Sequence, residues 1–409
     1  MNRAEYNRIK GELDKAGTVI DRIRILCEKD YEEEMIRLTW ELGYVIETLN
    51  FELTGSKKVS FCDLECLEKK MMHFECREEL AGCYSDWKDG MTQILERRYY
   101  AKNVWDEKFL KLMDYICFVD FDVIVKKAKE SLLGQGEELI KKFCIYYQEY
   151  SEMWGTLDTA ADRYDVIVNR VTALKEHRKD FLWLYHRLGD WRSKIVLCSM
   201  LYNWLTFDLE YINVMKEGNF TDYFDLDLVR CDEREVVVDL GAWTGDSVEN
   251  YIRTYGKYKK IFCYEIDPSS VKEMKKNLAQ YPDIEYRNKA VGSKNSMGSY
   301  VTSGPLSTIN KITDDHSGTE IEIVSLDSDI DEKITLIKMD IEGAEQDALL
   351  GCERHIREEQ PRLLISVYHN NEDIWKIPRM ISDMNPDYRF YLRSNGWQWG
   401  PAEIVLLAI

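Results

Sequence analysis

Val236-Val237-Val238-Asp239-Leu240-Gly241-Ala242-Trp243-Thr244-Gly245-Asp246 is the stretch on which the fold turns. Three β-branched residues followed by an acid and a leucine predict a buried strand of a parallel sheet. Gly241 and Gly245 permit a tight turn and let a ligand lie against bare backbone. From Asp246 the run Ser247-Val248-Glu249-Asn250-Tyr251-Ile252 takes helical spacing, so the turn feeds a helix N-terminus, where unpaired N–H groups favour an anion. The spacing is Gly-x-x-x-Gly, not the Gly-x-Gly-x-x-Gly of a pyrophosphate-binding turn. Asp239 stands two residues before the first glycine. A diphosphate gains nothing from a carboxylate there, whereas a ligand carrying an ammonium or sulfonium does. The stretch therefore fits S-adenosylmethionine better than NAD, with Asp239, Gly241, Ala242, Trp243, Thr244, Gly245 and Asp246 as candidate cofactor residues. The rival reading is a tight strand-to-helix turn of another α/β protein.

Downstream, strands alternate with helices, the pattern of a sheet covered on both faces. Ile261 to Glu265 is the second strand. Glu265 ends it 24 residues after Gly241, where a doubly wound fold places the acid that accepts the ribose hydroxyls; Ile266 follows it, and Asp267-Pro268 starts a helix. Ile284 to Asn288 is the third strand, and Ala290-Val291 sits where an adenine ring would be sandwiched. The excursion from Gly292 to Asp331 predicts a hairpin and loop at the mouth of the site, with Ser307 a candidate substrate contact, although turn chemistry alone explains a loop serine. Ile334 to Asp340 is the fourth strand. Lys338, Asp340, Glu342 and Glu345 converge at its carboxyl end, the edge where open α/β sheets bind ligands. Asp340 and Glu342 could hold a metal, act as a base or orient a hydroxyl. The helix dipole alone accounts for Glu345. Asp340, at a strand end, needs a partner, and Lys338 is the expected one. Leu363 to His369 is the fifth strand, ending on one of six histidines. His369 is the first candidate for general base and a candidate substrate contact. Tyr388 to Arg393 and Ile404 to Ala408 are the last strands, with Trp397 and Trp399 between them.

The N-terminal half has a different texture. Up to about Tyr223 glycine and proline are scarce and apolar residues recur at three and four, as in Ile20, Ile23, Ile25, Leu38, Leu42, Ile46 and Leu49. Helical runs are expected near 91–101, 108–130, 136–153 and 158–178, with Gly134, Gly136 and Gly155 as breaks. Trp40, Trp87, Trp105 and Trp154 read as core packing. Cys62, Cys66, Cys76 and Cys83 cluster around His73 without a Cys-x-x-Cys knuckle, so an ordinary helical core is expected in place of a metal site. The reading is two domains: a helical one over 1–175, and an α/β one over 176–409 introduced by a linking helix at 193–215. At 409 residues with 45% hydrophobic content and a formal charge of −19, the chain is globular and unsuited to nucleic acid or anionic lipid. The absence of a signal-like start or a long apolar run predicts a cytoplasmic protein, and the eleven cysteines then read as reduced thiols.

From about residue 180 onward the chain resembles the FkbM-type S-adenosylmethionine-dependent methyltransferases. The resemblance rests on Val238-Asp239-Leu240-Gly241-Ala242, Tyr264-Glu265-Ile266-Asp267-Pro268, Ala290-Val291-Gly292 and, most specifically, Leu336-Ile337-Lys338-Met339-Asp340-Ile341-Glu342-Gly343-Ala344-Glu345. Ser366-Val367-Tyr368-His369 through Trp375-Lys376-Ile377-Pro378 and the closing strand also match. It implies a seven-stranded class I methyltransferase fold and methyl transfer to a hydroxyl, typically of a sugar or secondary metabolite. By motif, Asp239, Gly241 and Glu265 would be cofactor residues and Asp340 would face the reacting centre. Trp243 departs from the Asn or Tyr common at that turn. Residues 1–175 lie outside the resemblance.

The expected activity is thus O-methylation of a small-molecule or glycan acceptor, with S-adenosylhomocysteine as product. His369, Asp340, Glu342 and Lys338 are the candidate catalytic residues, and Asp340 is also a candidate cofactor residue. A divalent metal is compatible with the acids but not expected. The competing reading is a non-catalytic scaffold that binds the cofactor and recruits a partner through its helical domain; that domain could equally form a homodimer.

Overall fold

A computed structural model describes residues 1–29, 32–55, 77–302, 310–313, 318–396 and 401–409. The chain forms two compact units, Met1–Gly134 with Arg170–Arg178, and Gln135–Asn169 with Lys179–Ile409. The division is interleaved: helix Asp165–Glu176 begins in the second unit and ends in the first.

The first unit is helical. Helices Arg3–Lys29, Glu32–Thr54 and Arg77–Tyr99 bury Ile20, Ile23, Leu38, Leu42, Ile46 and Leu49 around Trp87 and Met91. Ile25 and Trp40 depart from expectation, being 50% and 78% exposed. Trp40 lies midway between Leu38 and Leu42, so at 100° per residue it points away from the stripe those leucines bury. The run expected over 108–130 is two helices, Val104–Phe118 and Phe121–Leu133, separated by extended Val119. Asn103 caps the first, its Oδ1 accepting from the N–H groups of Trp105 (2.9 Å) and Asp106 (3.1 Å). Cys62, Cys66, His73 and Cys76 lie outside the described residues.

The second unit is built on a mixed seven-stranded sheet: β1 Val236–Leu240, β2 Lys260–Tyr264, β3 Ile284–Arg287, β4 Leu336–Met339, β5 Arg362–Ser366, β6 Phe390–Ser394 and β7 Ile404–Ala408. Their order is β6-β7-β5-β4-β1-β2-β3. The first five strands pair in parallel, and β7 runs antiparallel between β5 and β6. This is the seven-stranded arrangement that the resemblance implies. β1 is buried at every position, as its β-branched composition requires. The crossing from β4 to β1 marks the point where chain order reverses, and the crevice above the strand ends there is the natural ligand site of such a sheet.

The excursion between β3 and β4 is a second, four-stranded sheet, in which Thr319–Val324 lies between Ala290–Val291 and Ser296–Thr302, and Asn310–Thr313 forms the far edge. The expected linking helix over 193–215 is two helices, Trp191–Thr206 and Leu209–Met215. Phe207 stops the first in a left-handed conformation (φ 54°), and Asp208 caps the second by accepting from Glu210 N at 2.9 Å. Residues 158–164 are not helical: Leu157–Asp158 and Arg163–Tyr164 make a small antiparallel pair. Gly136 (φ 88°) and Gly155 (φ 96°) do break the helices around them. Trp154, just before the second break, donates from Nε1 to the Tyr368 carbonyl at 2.8 Å, which ties this segment to the carboxyl end of β5. Among the described residues, no helix is long and apolar enough to cross a membrane.

Candidate active site

The turn after β1 is held by backbone bonds. Gly241 N and Ala242 N both donate to Tyr264 O at 3.0 Å, and Gly245 N donates to Ala242 O at 2.7 Å. Gly241 has φ 78°, and a Cβ there would fall 1.9 Å from the Asp340 carbonyl oxygen. Glycine is therefore demanded both by conformation and by the close approach of the β4 end. Gly245 (φ 87°) starts helix Asp246–Tyr255. Glu265, 8% exposed, accepts from Trp243 N (2.9 Å) and Asp267 N (2.8 Å). It braces the turn while facing the crevice.

A cavity of about 520 Å³ opens above these strand ends. It brings together Gly241, Trp243, Asp246, Glu265, Ile266, Ala290 and Val291 from the cofactor candidates, and Lys338, Asp340, Glu342 and His369 from the catalytic ones. Ala242, Thr244 and Gly245 shape the turn behind it and do not line it. Ser307, Trp397 and Trp399 lie outside the described residues. Asp239 is 2% exposed and sits beneath the turn: it pairs with Lys338 Nζ at 3.0 Å and accepts from the Ser247 hydroxyl. Asp246, which is exposed and lines the cavity, is the acid of this stretch that a ligand would meet.

Lys338 was the expected partner of Asp340. It is instead the cross-strand neighbour of Asp239 in the β1–β4 register, and its ammonium also donates to Gly241 O at 2.9 Å. Burial alone would discharge this lysine, but Asp239 and Asp340 outweigh it and hold the ammonium charged. Lys338 therefore ties β4 to the glycine turn. Asp340 takes its hydrogen bond from the Tyr223 hydroxyl (2.8 Å), which also lies 3.2 Å from Ser366 Oγ.

His369 lies three residues past β5, fully enclosed, among three carboxylates. Nδ1 is 2.8 Å from Glu345 Oε1; Nε2 is 3.4 Å from Asp340 Oδ1 and 3.5 Å from Glu342 Oε2. Burial favours the neutral ring, yet Glu345, Asp340 and Glu342 together push it up to about 10. The acids around it thus favour the protonated ring over the neutral one. Burial would raise Asp340, but His369 and Lys338 keep it below the usual carboxylate range. Burial pushes Glu342 and Glu403 up to about 7. Glu342 adopts φ 57° and Glu403 φ 54°, left-handed backbone that bulky residues rarely occupy without support from their surroundings.

The cavity also takes in residues that no local motif marks: Glu152 and Met153 before the Gly155 break, Asp222 and Tyr223, Asn370, and Glu403 at the foot of β7. Glu403 had one visible signal, a lone acid directly before the apolar run Ile404 to Ala408.

A strand-to-helix glycine turn, the buried acid that follows β2 and an acidic cluster share one cavity on the seven-stranded sheet. Residues 239–398 match the methyltransferase FkbM domain. The FkbM match thus starts at the buried aspartate of β1 and runs past β6. Among solved structures, the chain is similar to methyltransferase FkbM from Methylobacillus flagellatus KT, with 28% identity over 59% of this chain and a TM-score of 0.50. This chain spans 62% of that protein's length. It also matches an rRNA methylase from Streptococcus thermophilus (14% identity, 43% of this chain, 87% of that one, TM-score 0.29) and a precorrin-6y C5,15-methyltransferase from Geobacter metallireducens GS-15 (11%, 44%, 82%, TM-score 0.28). No curated protein matches the chain.

Proposed function

We propose that this chain transfers a methyl group from S-adenosylmethionine to a hydroxyl of a small-molecule or glycan acceptor. One observation carries the reading: a single cavity joins the Gly241–Asp246 turn, Glu265 and Ala290-Val291 to Asp340, Glu342 and His369. Its volume suits a cofactor and a small acceptor. The Glu265 carboxylate accepts two backbone N–H groups and retains lone pairs for a diol. Ala290 and Val291 present small apolar surface for a purine, and Asp246 offers a carboxylate to a cationic tail.

The cofactor, when bound, supplies an electrophilic methyl on a sulfonium. Because that cation loses its charge in the transfer, the protein's contribution is alignment and exclusion of water more than stabilisation of new charge. Asp340, held in place by Tyr223, and Glu342 would receive the acceptor hydroxyl, and its proton leaves into the cluster they form with His369. Further acids at the rim, Asp222, Glu152 and Glu403, repel phosphates, which favours a neutral or cationic acceptor over a polyanion.

The test is calorimetry of the full chain against S-adenosylmethionine and S-adenosylhomocysteine, with NAD as control and Glu265→Ala as the variant. Both sulfur ligands should bind, and the variant should weaken binding at least ~10-fold, about 1.4 kcal/mol. Absence of binding in the native chain would end the reading. Binding with no methyl transfer across a panel of hydroxylated acceptors would favour the scaffold alternative.

A further inference from the structure

We propose that Asp340, Glu342 and His369 form a binding site for one divalent first-row metal ion, with Glu345 orienting the histidine. Within the cavity, His369 is 2% exposed, and neither ring nitrogen makes an aligned hydrogen bond although both lie among acids. A buried imidazole nitrogen is costly to leave in that condition. Asp340 Oδ1 is likewise buried without a hydrogen-bond partner, the Tyr223 bond going to Oδ2. Asp340 Oδ1 presents a lone pair to this space, an incoming cation would displace the Nε2 proton that the same acids otherwise favour, and Glu342 Oε2 stands 3.5 Å from Nε2 on a loop that is part-exposed.

The separations suit a metal better than a hydrogen bond. Nε2 is 3.4 Å from Asp340 Oδ1 and 3.5 Å from Glu342 Oε2, long for N–H···O contacts. Ligand atoms about 2.0–2.1 Å from a tetrahedral ion are themselves ~3.3–3.4 Å apart. The ligand atoms that all lie within 4.8 Å of one another are those of Asp340, Glu345 and His369; Glu342 stands near the histidine alone and would have to swing in to share the ion. Glu345 is nevertheless better read as the orienter. Its Oε1 accepts from Ile341 N at 2.9 Å and faces His369 Nδ1 at 2.8 Å. That is the carboxylate–histidine relation that fixes a ring so that the other nitrogen can ligate. One imidazole and two carboxylates form a mixed nitrogen–oxygen set that suits Zn2+ or Co2+ over Mg2+. Two carboxylates and one neutral imidazole compensate the ion's two charges.

Occupancy of this site does not depend on the methyl-transfer reading; its use would. Under that reading the ion would take the acceptor hydroxyl as a further ligand and ease loss of its proton.

The experiment uses the full chain, stripped with a chelator and titrated with Zn2+ by calorimetry and with Co2+ by visible absorption. S-adenosylhomocysteine binding is measured on the same samples. One equivalent of Zn2+ is expected, weakened at least ~100-fold by Asp340→Asn and by His369→Gln and ~10–100-fold by Glu345→Gln. Glu265→Ala should keep the metal while losing the cofactor. Retained S-adenosylhomocysteine binding certifies that the metal-site variants are folded; should any of them fail to fold, the Co2+ spectrum of the native chain decides. Nitrogen–oxygen ligand-field bands support the site. Sulfur-to-cobalt charge transfer would move the ion to cysteines and overturn it, as would a native chain that binds S-adenosylhomocysteine but no metal, or a stoichiometric Zn2+ that His369→Gln leaves unchanged.

Discussion

Gly241 sets the tolerance of the whole site, because two strand ends meet at its α-carbon. A methyl group there would lie 1.9 Å from Asp340 O and 2.9 Å from its carbonyl carbon. Those atoms belong to backbone, so no rotamer change relieves the clash. The left-handed φ adds strain of its own. Gly241→Ala is expected to lower stability by at least ~2 kcal/mol, a fall in Tm of several degrees, and to abolish cofactor binding. Thermal unfolding with and without S-adenosylhomocysteine checks both, and an unchanged melting curve would show that the β4 end can withdraw. At this scale the site was partly legible. The places of Gly241 and Glu265 at the cavity are legible because they depend on near neighbours: a strand, a turn, a fixed interval. The sequence pairs Lys338 with Asp340, but strand register places it opposite Asp239, which takes the direct ion pair while Asp340 acts on it only through its charge. Tyr223 was invisible because it reaches Asp340 from 117 positions away, and nothing local to either residue records that meeting.

Among elements, the junction between helix Trp191–Thr206 and β6 shows how the second unit anchors its sheet edge. Arg393, 4% exposed, donates to Asp225 Oδ2 at 2.5 Å, to Asp190 Oδ2 at 2.7 Å and to Ser193 Oγ at 3.1 Å. Asp190 also caps the helix by accepting from Ser193 N at 2.8 Å. One guanidinium thus joins a helix start, a loop and a strand. Arg393→Leu would remove that tie while Asp225 keeps Arg192 at 3.2 Å and Asp190 keeps Ser193, and a loss of about 1–3 kcal/mol is expected at neutral pH. The pH dependence has a definite sign. Burial would raise Asp190, but the bonds from Arg393 and Ser193 outweigh it and hold its carboxyl below the usual range. Its contribution is therefore present above the ordinary carboxylate pKa and is lost as pH falls through the lowered native value. The gap between native and variant, read from urea melts, should narrow below pH ~4. A gap that stays constant or widens on acidification would assign the stabilisation to packing. Helices with a clear apolar repeat, such as Glu32–Thr54, were legible. The break at Phe207 was not, since the apolar pattern continues across it and only an aspartate following a phenylalanine marks the cap.

For the whole molecule, the cavity has one further consequence: every residue lining it belongs to the second unit. A ligand that binds there stabilises what it touches, by ~2.7 kcal/mol at a concentration 100 times its Kd. The first unit has its own core, with Trp87, Met91, Ile94 and Leu95 fully enclosed between helices, so it has the means to unfold as a separate transition. Scanning calorimetry is then expected to show two transitions. Saturating S-adenosylhomocysteine should raise one of them by ~5 °C or more and leave the other in place. Trp87→Ala, which opens a cavity in the first unit's core at a cost of about 3–5 kcal/mol, should lower the unresponsive transition while the ligand-induced shift persists. The helix Asp165–Glu176 is the element that could defeat this separation, because its two ends are counted in different units. If the ligand moved both transitions together, or Trp87→Ala weakened the cofactor, that shared helix would be transmitting stability from one unit to the other. The N-terminal unit would then have to be treated as part of the ligand-binding structure.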